Sequence, residues 1–319
     1  MYRRGRGIVL TEPSVIALNT RTGDVLAVGH EAWRMIGRTP SYIVAVRPLR
    51  QGAITDFDVT QRMIRLILRR VGVGHLNRPR VVICVPSAIT AVERRAVTEA
   101  ARRAGASQAF LMEQPLAAAI GADLPVHEPL GNMVVDVGGG TTEVAIISLG
   151  GIVALEAVRV GSFDIDAAIQ QYMRRRHGIA VGERTAEEIK ITLGSAWPLE
   201  EEVEAEVRGR DLRTGLPKTV RIDSEEIRQA VREPVDQIME AVISCLSQAP
   251  PELAQDILVR GVTLVGGGAM LRGLPERIRA EAHVPVRLVD APLECVVLGA
   301  GRCIESFDSL RVMFSEATA

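Results

Sequence analysis

The sequence predicts an α/β fold in two domains, and three observations predict it. Strand-like apolar runs alternate with capped helical segments along most of the 319 residues, a pattern typical of α/β proteins. At roughly 150 residues per domain, this length predicts two domains, each with its own core. Two strand-like segments run directly into triple glycines, at residues 138–140 and 266–268. Glycine is the residue that lets a backbone approach a ligand closely.

Composition excludes several classes of protein. The chain carries 38 basic and 39 acidic side chains, for a net charge of −1, whereas nucleic-acid-binding proteins usually show a basic excess. An apolar content of 47% excludes disorder, and an aromatic content of 3% argues against base stacking. No apolar run approaches the roughly 20 residues that span a bilayer, and the first residues do not form a signal peptide. We expect a soluble intracellular protein that binds no nucleic acid.

Cysteine and histidine spacing argues against disulfide and metal chemistry. The four cysteines lie in apolar surroundings without a CxxC pair, and the five histidines are scattered. This pattern is typical of buried thiols in a reducing compartment rather than of a disulfide framework or a zinc site.

Predicted strands are short apolar, β-branched runs bounded by turn residues. The run RVVICV, which Pro86 ends, is expected to be a buried strand. An acidic run at residues 200–206 alternates with apolar residues, as an exposed strand does. In chain order the predicted strands are residues 8–10, 15–18, 25–28, 80–85, 109–112, 133–137, 144–148, 152–157, 200–206, 219–222, 262–265 and 286–289.

Predicted helices begin at N-capping residues and end at glycines. Gly105 and Gly178 are the expected stops, because glycine readily takes the left-handed conformation. A polar stretch at residues 123–132 is the expected domain boundary. The expected capping pairs are Asp58 with Gln61, Thr90 with Glu93, Thr185 with Glu188 and Asp223 with Glu226, and the predicted helices cover residues 58–71, 90–105, 163–177, 185–193, 223–242 and 272–282.

The two glycine loops carry the functional signal. Triple glycines leave backbone amides open to a phosphate or a sugar. Asp136 can hold a Mg²⁺-bound water, and Thr141 and Thr142 can donate to phosphate or orient a water. The second loop leads into a predicted helix whose N-terminal amides can receive a nucleotide. The alternative is that both loops are tight turns between packed strands. Neither has the spacing of a P-loop or of a dinucleotide fingerprint.

Several segments resemble the MreB/Mbl cell-shape family of bacterial actins. VVDVGGGTTEVAIISLG, from Val134, resembles the family's second phosphate motif, and LVGGGAMLRGLPE, from Leu264, resembles its adenosine motif. Further family-like segments follow the same order along the chain: RGRGIVLTEPSVIAL, RVVICVP, ERRAVTEAARRAGA and GERTAEEIKITLGSA.

The resemblance implies an actin-like ATPase fold of two lobes, which are duplicated RNase H-like domains with small inserted subdomains. The first lobe is expected at residues 1–129, with a small subdomain at 14–54. The second lobe is expected at residues 130–302, with a small subdomain at 178–223. Residues 303–319 are expected to return to the first lobe. Nucleotide would lie between the lobes, and subunits would stack head to tail into filaments.

The resemblance also implies site residues, with ATP or ADP and Mg²⁺ as cofactors. Asp136 would lie near Mg²⁺, Gly138 to Thr141 would contact phosphate, and the other residues would contact adenosine. Glu188 has a second expected role as a capping acid. The full expected binding set is Asp136, Gly138, Gly139, Gly140, Thr141, Ala186, Glu187, Glu188, Ile189, Lys190, Gly266, Gly267, Gly268 and Ala269.

Two departures from the family pattern bear on nucleotide chemistry. Family members carry a first phosphate loop before the RGRGIVL segment, whereas this chain begins at that segment. Two explanations are open: the start of the chain is assigned wrongly, or the chain is a shortened paralogue. The family's EEPxAAAIG motif here is EQPLAAAIG, with Gln114 at the catalytic glutamate position. Glutamine can orient a water but cannot accept its proton. With Gln114, Thr141 and Thr142 as the expected catalytic residues, we expect at most a weak ATPase linked to polymerisation.

Three functions compete. The first is a cytoskeletal filament that lies at the inner face of the cell membrane, binds wall-synthesis proteins and determines cell shape. The second is a nucleotide-independent scaffold of the same fold. The third is a sugar kinase or chaperone-type ATPase of the same superfamily. A loop at residues 71–77 matches a family membrane-contact loop, but it offers only Val73 and Leu76, so its own membrane affinity should be marginal.

Overall fold

The computed structural model describes residues 1–50, 52–54, 56–72, 78–307 and 315–316. Within these ranges the strands are β1 (Tyr2–Arg3), β2 (Gly7–Ile8), β3 (Ile16–Asn19), β4 (Val25–Val28), β5 (Ile43–Val46), β6 (Leu49–Arg50), β7 (Ala53–Ile54), β8 (Arg80–Val85), β9 (Gln108–Glu113), β10 (Asn132–Val137), β11 (Thr142–Ser148), β12 (Gly151–Val158), β13 (Ile179–Ala180), β14 (Glu204–Asp211), β15 (Pro217–Asp223), β16 (Val262–Val265), β17 (Val286–Leu288) and β18 (Ser315–Glu316).

The helices within the same ranges are α1 (His30–Met35), α2 (Phe57–Arg70), α3 (Ala91–Ala104), α4 (Gln114–Gly121), α5 (Ser162–Tyr172), α6 (Glu183–Leu193), α7 (Ser224–Ala230), α8 (Arg232–Ser247), α9 (Pro251–Arg260), α10 (Leu274–Ala282) and α11 (Cys295–Glu305). A π-helical turn at Met173–His177 follows α5, and a 3₁₀ turn at Gly267–Met270 follows β16. None of these helices is long and apolar enough to cross a bilayer.

The chain forms two compact units. The first comprises Met1–Asp123 with Glu294–Ala319, and the second comprises Leu124–Leu293. In the first unit, β8 and β9 run parallel and β18 pairs antiparallel to β9. A separate antiparallel sheet has the order β4-β3-β5. Its strand β3 packs against α2 through Ile16, Val59 and Met63.

Helices α4 and α11 of the first unit pack at backbone contact. A Cβ at Gly121 would lie 2.7 Å from the carbonyl carbon of Cys295, and a Cβ at Gly299 would lie 2.7 Å from that of Ala117. These reciprocal contacts leave no room for a side chain at either glycine. The packing therefore holds the helix that begins at Gln114 in a defined place within its unit.

The second unit is built on a five-stranded sheet of order β12-β11-β10-β16-β17. β10, β16 and β17 run parallel, β11 pairs antiparallel to β10, and β12 pairs antiparallel to β11. All six residues of β10 are buried, as expected for a central strand covered on both faces. α5 and α8 supply Ile169 and Ile238 to the core beside Val135. A three-stranded sheet, β13-β14-β15, forms separately.

Two predicted helix starts are confirmed. The Thr90 hydroxyl accepts the Glu93 N–H at 3.2 Å, and the Glu93 carboxylate accepts the Thr90 N–H at 2.7 Å. The Asp223 carboxylate accepts the Glu226 N–H at 2.8 Å. The two predicted stops are confirmed as well, since Gly105 ends α3 and Gly178 takes the left-handed conformation after the π-helical turn.

Two other predicted starts are wrong. α2 is capped by Asp56, whose carboxylate accepts the Val59 N–H at 3.0 Å, so Asp58 lies inside the first turn. α6 begins at Glu183 with Gly182 as its N-cap, so Thr185 and Glu188 form no capping box. In both cases a second polar residue or glycine upstream starts the helix earlier than the local motif indicates.

The predicted helix at residues 163–177 is divided. α5 covers its first part, and the π-helical turn covers Met173–His177. The predicted helix at residues 272–282 begins two residues later, at Leu274. Residues 73–77 of the predicted membrane-contact loop, including Val73 and Leu76, lie outside the described residues.

Candidate functional site

The two glycine loops lie side by side in the second unit. β10 and β16 are neighbouring parallel strands with Asp136 opposite Val265, and each loop begins where its strand ends. The carboxyl ends of parallel strands meet at one edge of a sheet, where α/β proteins commonly bind ligands. The structure therefore brings Asp136, the first loop (residues 138–141) and the second loop (residues 266–269) together.

Gly266 permits the close approach of the second loop to β10. Its φ of +85° lies in the left-handed region that L side chains rarely adopt. A Cβ there would also lie 2.5 Å from Oδ1 of Asp136. The Gly266 N–H donates to the carbonyl of Pro292 at 2.9 Å. Another residue at 266 would strain the loop and move it away from the carboxylate.

The first loop presents open backbone donors. Its carbonyls are engaged by the start of α5, since the Ser162 N–H donates to Gly138 at 3.0 Å and the Phe163 N–H donates to Gly139 at 2.7 Å. The N–H groups of Gly139, Gly140 and Thr141 have no acceptor within the described part of the chain. Successive N–H groups without acceptors form a concave binding site for an anion.

Asp136 adds a buried carboxylate next to these donors. The residue is 7% exposed, and its carboxylate makes no hydrogen bond or ion pair with any residue that the structure describes. Burial raises the pKa of its carboxyl from 3.8 to about 6. A desolvated carboxylate without a positive partner favours a cation or a proton.

The two threonines after the triple glycine take different positions. Thr141 lies on the loop and is half-buried. Thr142 is the first residue of β11 and is fully buried. Its hydroxyl donates to the carbonyl of Val160 at 2.9 Å. The Thr142 hydroxyl therefore stabilises the fold rather than facing the loop, and Thr141 is the threonine that lies on the loop itself.

Helix α6 carries the five residues expected on the adenosine side. Ala186 and Ile189 are buried in the core of the unit, so their side chains pack rather than contact a ligand. Glu187 is half-buried and Glu188 is exposed. Neither carboxylate has a partner among the residues described. Of these two acids, Glu187 is the better shielded from water.

Lys190 joins α6 to the start of α5. Its ammonium lies 2.8 Å from Oδ1 of Asp166 and donates to the Ser162 hydroxyl at 2.5 Å. The Lys190 and Asp166 side chains are only 12% and 11% exposed. The Ser162 N–H in turn donates to the Gly138 carbonyl, so Ser162 connects the Lys190 ammonium to the first loop.

Sequence reasoning missed Ser162 and Asp166. The signal was present, since residues four apart lie on the same face of a helix. A serine and an aspartate at that spacing, just after a glycine loop, offer two oxygen acceptors to one cation. The lysine that uses them lies 24 residues further on from Asp166, and no local pattern identifies it.

The segment just after the second glycine loop is hydrogen-bonded to the end of α6. The Ala196 N–H donates to the Arg272 carbonyl at 2.7 Å, and the Arg272 guanidinium donates to the carbonyls of Gly194 and Thr192. The helix predicted after this loop, at residues 272–282, is α10, which begins at Leu274, and the loop itself forms the 3₁₀ turn at Gly267–Met270. Gly267 opens that turn, and Ala269 is buried within it.

In the first unit, Gln114 is the first residue of α4. The helix follows β9 directly, with Glu113 as N-cap and Pro115 in its first turn. Gln114 is half-buried. It stands at a helix N-terminus, where backbone N–H groups and the helix dipole favour negative charge. The structure therefore places the expected water-positioning amide at a rigid, electropositive helix end.

The fold places the chain in the actin-like class of α/β proteins. It matches the double helical filament structure of MamK with a TM-score of 0.80 and 21% identity over 94% of both chains. It also matches MreB5 of Spiroplasma citri bound to ADP with a TM-score of 0.90 and 35% identity, covering 96% of this chain and 92% of that one. The predicted two-lobed actin-like α/β fold is confirmed.

The chain belongs to the MreB/Mbl family. The family model described as MreB/Mbl protein matches residues 1–312. Cell shape-determining protein MreB of Escherichia coli (strain K12) is 50% identical over 314 residues, which cover 97% of this chain and 90% of that protein. Cell shape-determining protein Mbl of Bacillus subtilis (strain 168) is 45% identical over 311 residues, which cover 97% and 93%. The resemblance stated from the sequence motifs is confirmed.

Proposed function

We propose that this chain is a nucleotide-dependent filament protein that determines cell shape. It binds ATP or ADP at the glycine loops of the second unit and assembles head to tail with further copies of itself. The observation that carries the proposal is the row of open N–H groups at Gly139, Gly140 and Thr141 beside the buried carboxylate of Asp136. The MreB5 structures bound to ADP and to AMPPNP, and the MamK filament, support it.

The residues fit a magnesium nucleotide. The open N–H groups suit phosphate oxygens. Asp136 suits a Mg²⁺-bound water, because Mg²⁺ in phosphate sites takes one or two carboxylates and keeps several waters. Within the described residues no cluster of three acidic, histidine or cysteine side chains could hold a metal without help, so phosphate would complete the coordination. The bound cation would neutralise phosphate charge. Glu187 and the loop at residues 266–269 would contact adenosine.

We further propose where the filament works. The curated relatives are named for determining cell shape, and a shape-determining filament must act on the growing wall. We place the chain in the cytoplasm at the inner face of the membrane, where it would bind wall-synthesis proteins. Nucleotide would shift the population towards the polymer, which requires that it bind the polymeric state more tightly.

A pelleting assay tests the proposal. The purified chain is centrifuged at high speed with Mg²⁺ and ATP, with Mg²⁺ and AMPPNP, and without nucleotide. We expect filaments in the first two samples and little pellet in the third. Equal pellets in all three would select the nucleotide-independent scaffold. The absence of a pellet under every condition, with nucleotide binding checked by calorimetry, would contradict filament formation.

Replacing Lys190 by methionine tests how α6 acts on the first loop. Because the ammonium holds Ser162 rather than facing the loop, we expect ATP and ADP affinity to fall about tenfold, typical of a lost charged hydrogen bond. Adenosine affinity should stay unchanged, since adenosine carries no phosphate. Calorimetric titration with the three ligands measures this.

Removing Lys190 alone leaves Asp166 buried without its cation, which is destabilising. The double variant Lys190→Met/Asp166→Asn avoids that charge and is the form to titrate, with Lys190→Arg as the conservative control. An equal loss of affinity for adenosine, ADP and ATP would contradict an effect of Lys190 that is confined to the phosphate-binding loop.

Replacing Gln114 by glutamate should accelerate ATP hydrolysis. A carboxylate at this position can accept a proton from the attacking water, whereas the amide can only orient it. We expect a rise of about 100-fold or more, the size usual for a positioned general base. Phosphate release is followed in a single turnover under polymerising conditions.

Glu113→Gln, which removes the neighbouring carboxylate, is the matched control and should leave the rate unchanged. The Gln114→Ala variant should hydrolyse ATP more slowly than the parent, because the water loses its orienting amide. If Gln114→Glu hydrolyses no faster than the parent, another residue limits the reaction.

A further inference from the structure

The small sheet of the second unit carries an ordered row of charges on its outer face. In β14, Val207 is buried and Ala205 is half-buried against the core of the unit. Because side chains alternate along a strand, the even-numbered residues of β14 lie on the opposite face of the sheet. That face carries, in order along the strand, Glu204, Glu206, Arg208 and Arg210. All four are exposed, and we call them the charged row.

The basic half of the charged row has no counter-charge of its own. Arg208 and Arg210 lie opposite Thr219 and Pro217 of β15 in the register of the hairpin, and neither of those residues is charged. Neither guanidinium group makes an ion pair or a hydrogen bond with any residue that the structure describes. Two uncompensated positive charges therefore stand about 7 Å apart along the strand.

The acidic half of the charged row has one cation for two carboxylates. Arg221 of β15 lies opposite Glu206 in the register, and its guanidinium lies 3.0 Å from the Glu204 carboxylate. The Arg221 and Glu204 side chains are 77% and 56% exposed, so water screens their attraction. Glu206 makes no ion pair within the described part of the chain. A net negative charge therefore remains at this end of the row.

We propose that the charged row binds the same row of a second copy of the chain. A row that reads acid, acid, base, base is complementary to itself when the second copy runs in the opposite direction, as it does across a twofold axis. Such an axis through the middle of the row would place Glu204 opposite the partner's Arg210 and Glu206 opposite the partner's Arg208. Each pair is made twice, so four ion pairs would form. The proposal rests on the proposed filament, and it adds a lateral contact between filaments to the head-to-tail contact within one.

The presence of both charge signs favours a second copy over a partner of a single sign. The two carboxylates would repel an acidic segment, and the two arginines would repel a basic one. Exposed apolar side chains flank the row at both ends, since Val203 is 37% and Leu212 is 47% exposed. The twofold axis exchanges the two ends of the row, so it would bring Val203 towards the partner's Leu212.

The size of the face predicts how this contact shows itself. The eight residues of β14 span about 26 Å, and three strands are at most about 15 Å wide. That area is about half of the roughly 800 Å² that each partner buries in a stable complex. Two single chains should therefore associate weakly, whereas filaments repeat the contact along their length and add its effects. We expect bundling of filaments that weakens as salt is raised.

Centrifugation at two speeds tests the lateral contact separately from the proposed function. High speed collects single filaments, and low speed collects only bundles. With Mg²⁺ and AMPPNP at low salt, we expect the parent in both pellets. The variants Arg208→Glu/Arg210→Glu and Glu204→Arg/Glu206→Arg should still pellet at high speed but should be lost from the low-speed pellet. The affinity between rows should fall about 30-fold or more, because each of four exposed ion pairs contributes about two- to threefold.

The variant that combines all four substitutions is the decisive control. It has the net charge of the parent and restores the order of charges in reverse, so it should return to the low-speed pellet. Arg174→Glu/Arg175→Glu, which reverses two exposed arginines elsewhere in the second unit, should bundle like the parent. Bundling that follows net charge in every variant, or a combined variant that fails to bundle, would overturn the inference.

A coupling experiment tests the contact without any filament. The variant Arg208→Lys/Arg210→Lys keeps the charge and introduces amines, which a carbodiimide joins to carboxylates in contact. Chains labelled with heavy and with normal nitrogen are mixed without nucleotide, coupled and digested. We expect peptides that join position 208 of one chain to Glu206 of the other, and position 210 to Glu204. Coupling only within single chains, both here and in filaments, would overturn the inference. Loss of the high-speed pellet with this coupling retained would contradict the proposed filament alone.

Discussion

Replacing Asp136 by asparagine should stabilise the nucleotide-free protein at about pH 8 while weakening its response to magnesium nucleotide. Burial raises the pKa of the carboxyl from 3.8 to about 6. The folded state therefore binds the proton more tightly than the unfolded state. The stability that this group contributes is full below pH 3.8 and is lost as the pH rises through about 6.

The cost of ionising Asp136 in the folded state sets the size of the effect. Above its folded pKa, ionisation costs about 2 to 3 kcal/mol. The neutral amide avoids that cost, so the midpoint of thermal unfolding should rise by roughly 4 to 10 °C at about pH 8. At about pH 4 the difference should almost vanish, because the carboxyl of the folded parent is then protonated.

Thermal unfolding in a chelator, followed by circular dichroism across this pH range, measures the change. Asp58→Asn alters an exposed carboxylate and should show no such pH dependence. Added Mg²⁺ and ADP should raise the midpoint of the parent more than that of Asp136→Asn, because only the parent holds the cation through a carboxylate. A variant that is no more stable than the parent at about pH 8 would show that the carboxylate is well solvated.

Replacing Gly299 by alanine should destabilise the first unit severely. The new Cβ would meet the backbone of Ala117 and would lie 2.9 Å from the Gly121 nitrogen. Backbone cannot move aside as a flexible side chain can, so α4 and α11 must separate. We expect a loss of about 3 kcal/mol, at the upper end of overpacking costs, even though alanine favours the helix by about 1 kcal/mol.

Gly301→Ala, in the same helix, is the matched control. Its Cβ would meet the ring of Tyr2, which can rotate away, so the loss should be much smaller. Urea unfolding followed by circular dichroism compares the two variants. Because Gln114 begins α4, Gly299→Ala should also alter hydrolysis, whereas Gly301→Ala should not. Equal destabilisation by both variants would show that the helix pair tolerates a wider separation.

Local sequence patterns predicted helix ends correctly where a single capping or stop residue specifies the end. Thr90 with Glu93, Asp223 and Gly178 act through contacts within a few residues, and such contacts are visible in a sequence pattern. Asp58 and Thr185 failed as caps because a capping residue competes with its neighbours. Which of two candidates wins depends on where the preceding chain approaches the helix.

The candidate site was predictable in its residue types and less so in its contacts. Asp136 and both glycine loops are conspicuous because glycine and acid follow apolar strands. That Thr142 would be buried against Val160 follows from the register of β11, which places alternate side chains on opposite faces of the sheet. The clamp of Lys190 on Ser162 and Asp166 spans more than 20 residues of chain, and no local pattern indicates it.

Motif spacing and hydrophobic periodicity are properties of short segments, and they were enough to predict the family, the α/β fold class and the presence of two glycine loops. Three features follow from tertiary contacts alone: the loops share one sheet edge, three N–H groups of the first loop have no acceptor among the described residues, and the hairpin of β1 and β2 is bound to Glu305 at the end of α11. The physical reason is the same in each case. Parallel pairing of β10 with β16, and the docking of the first hairpin on α11, join segments distant in the chain through burial and hydrogen bonds that no segment can form alone.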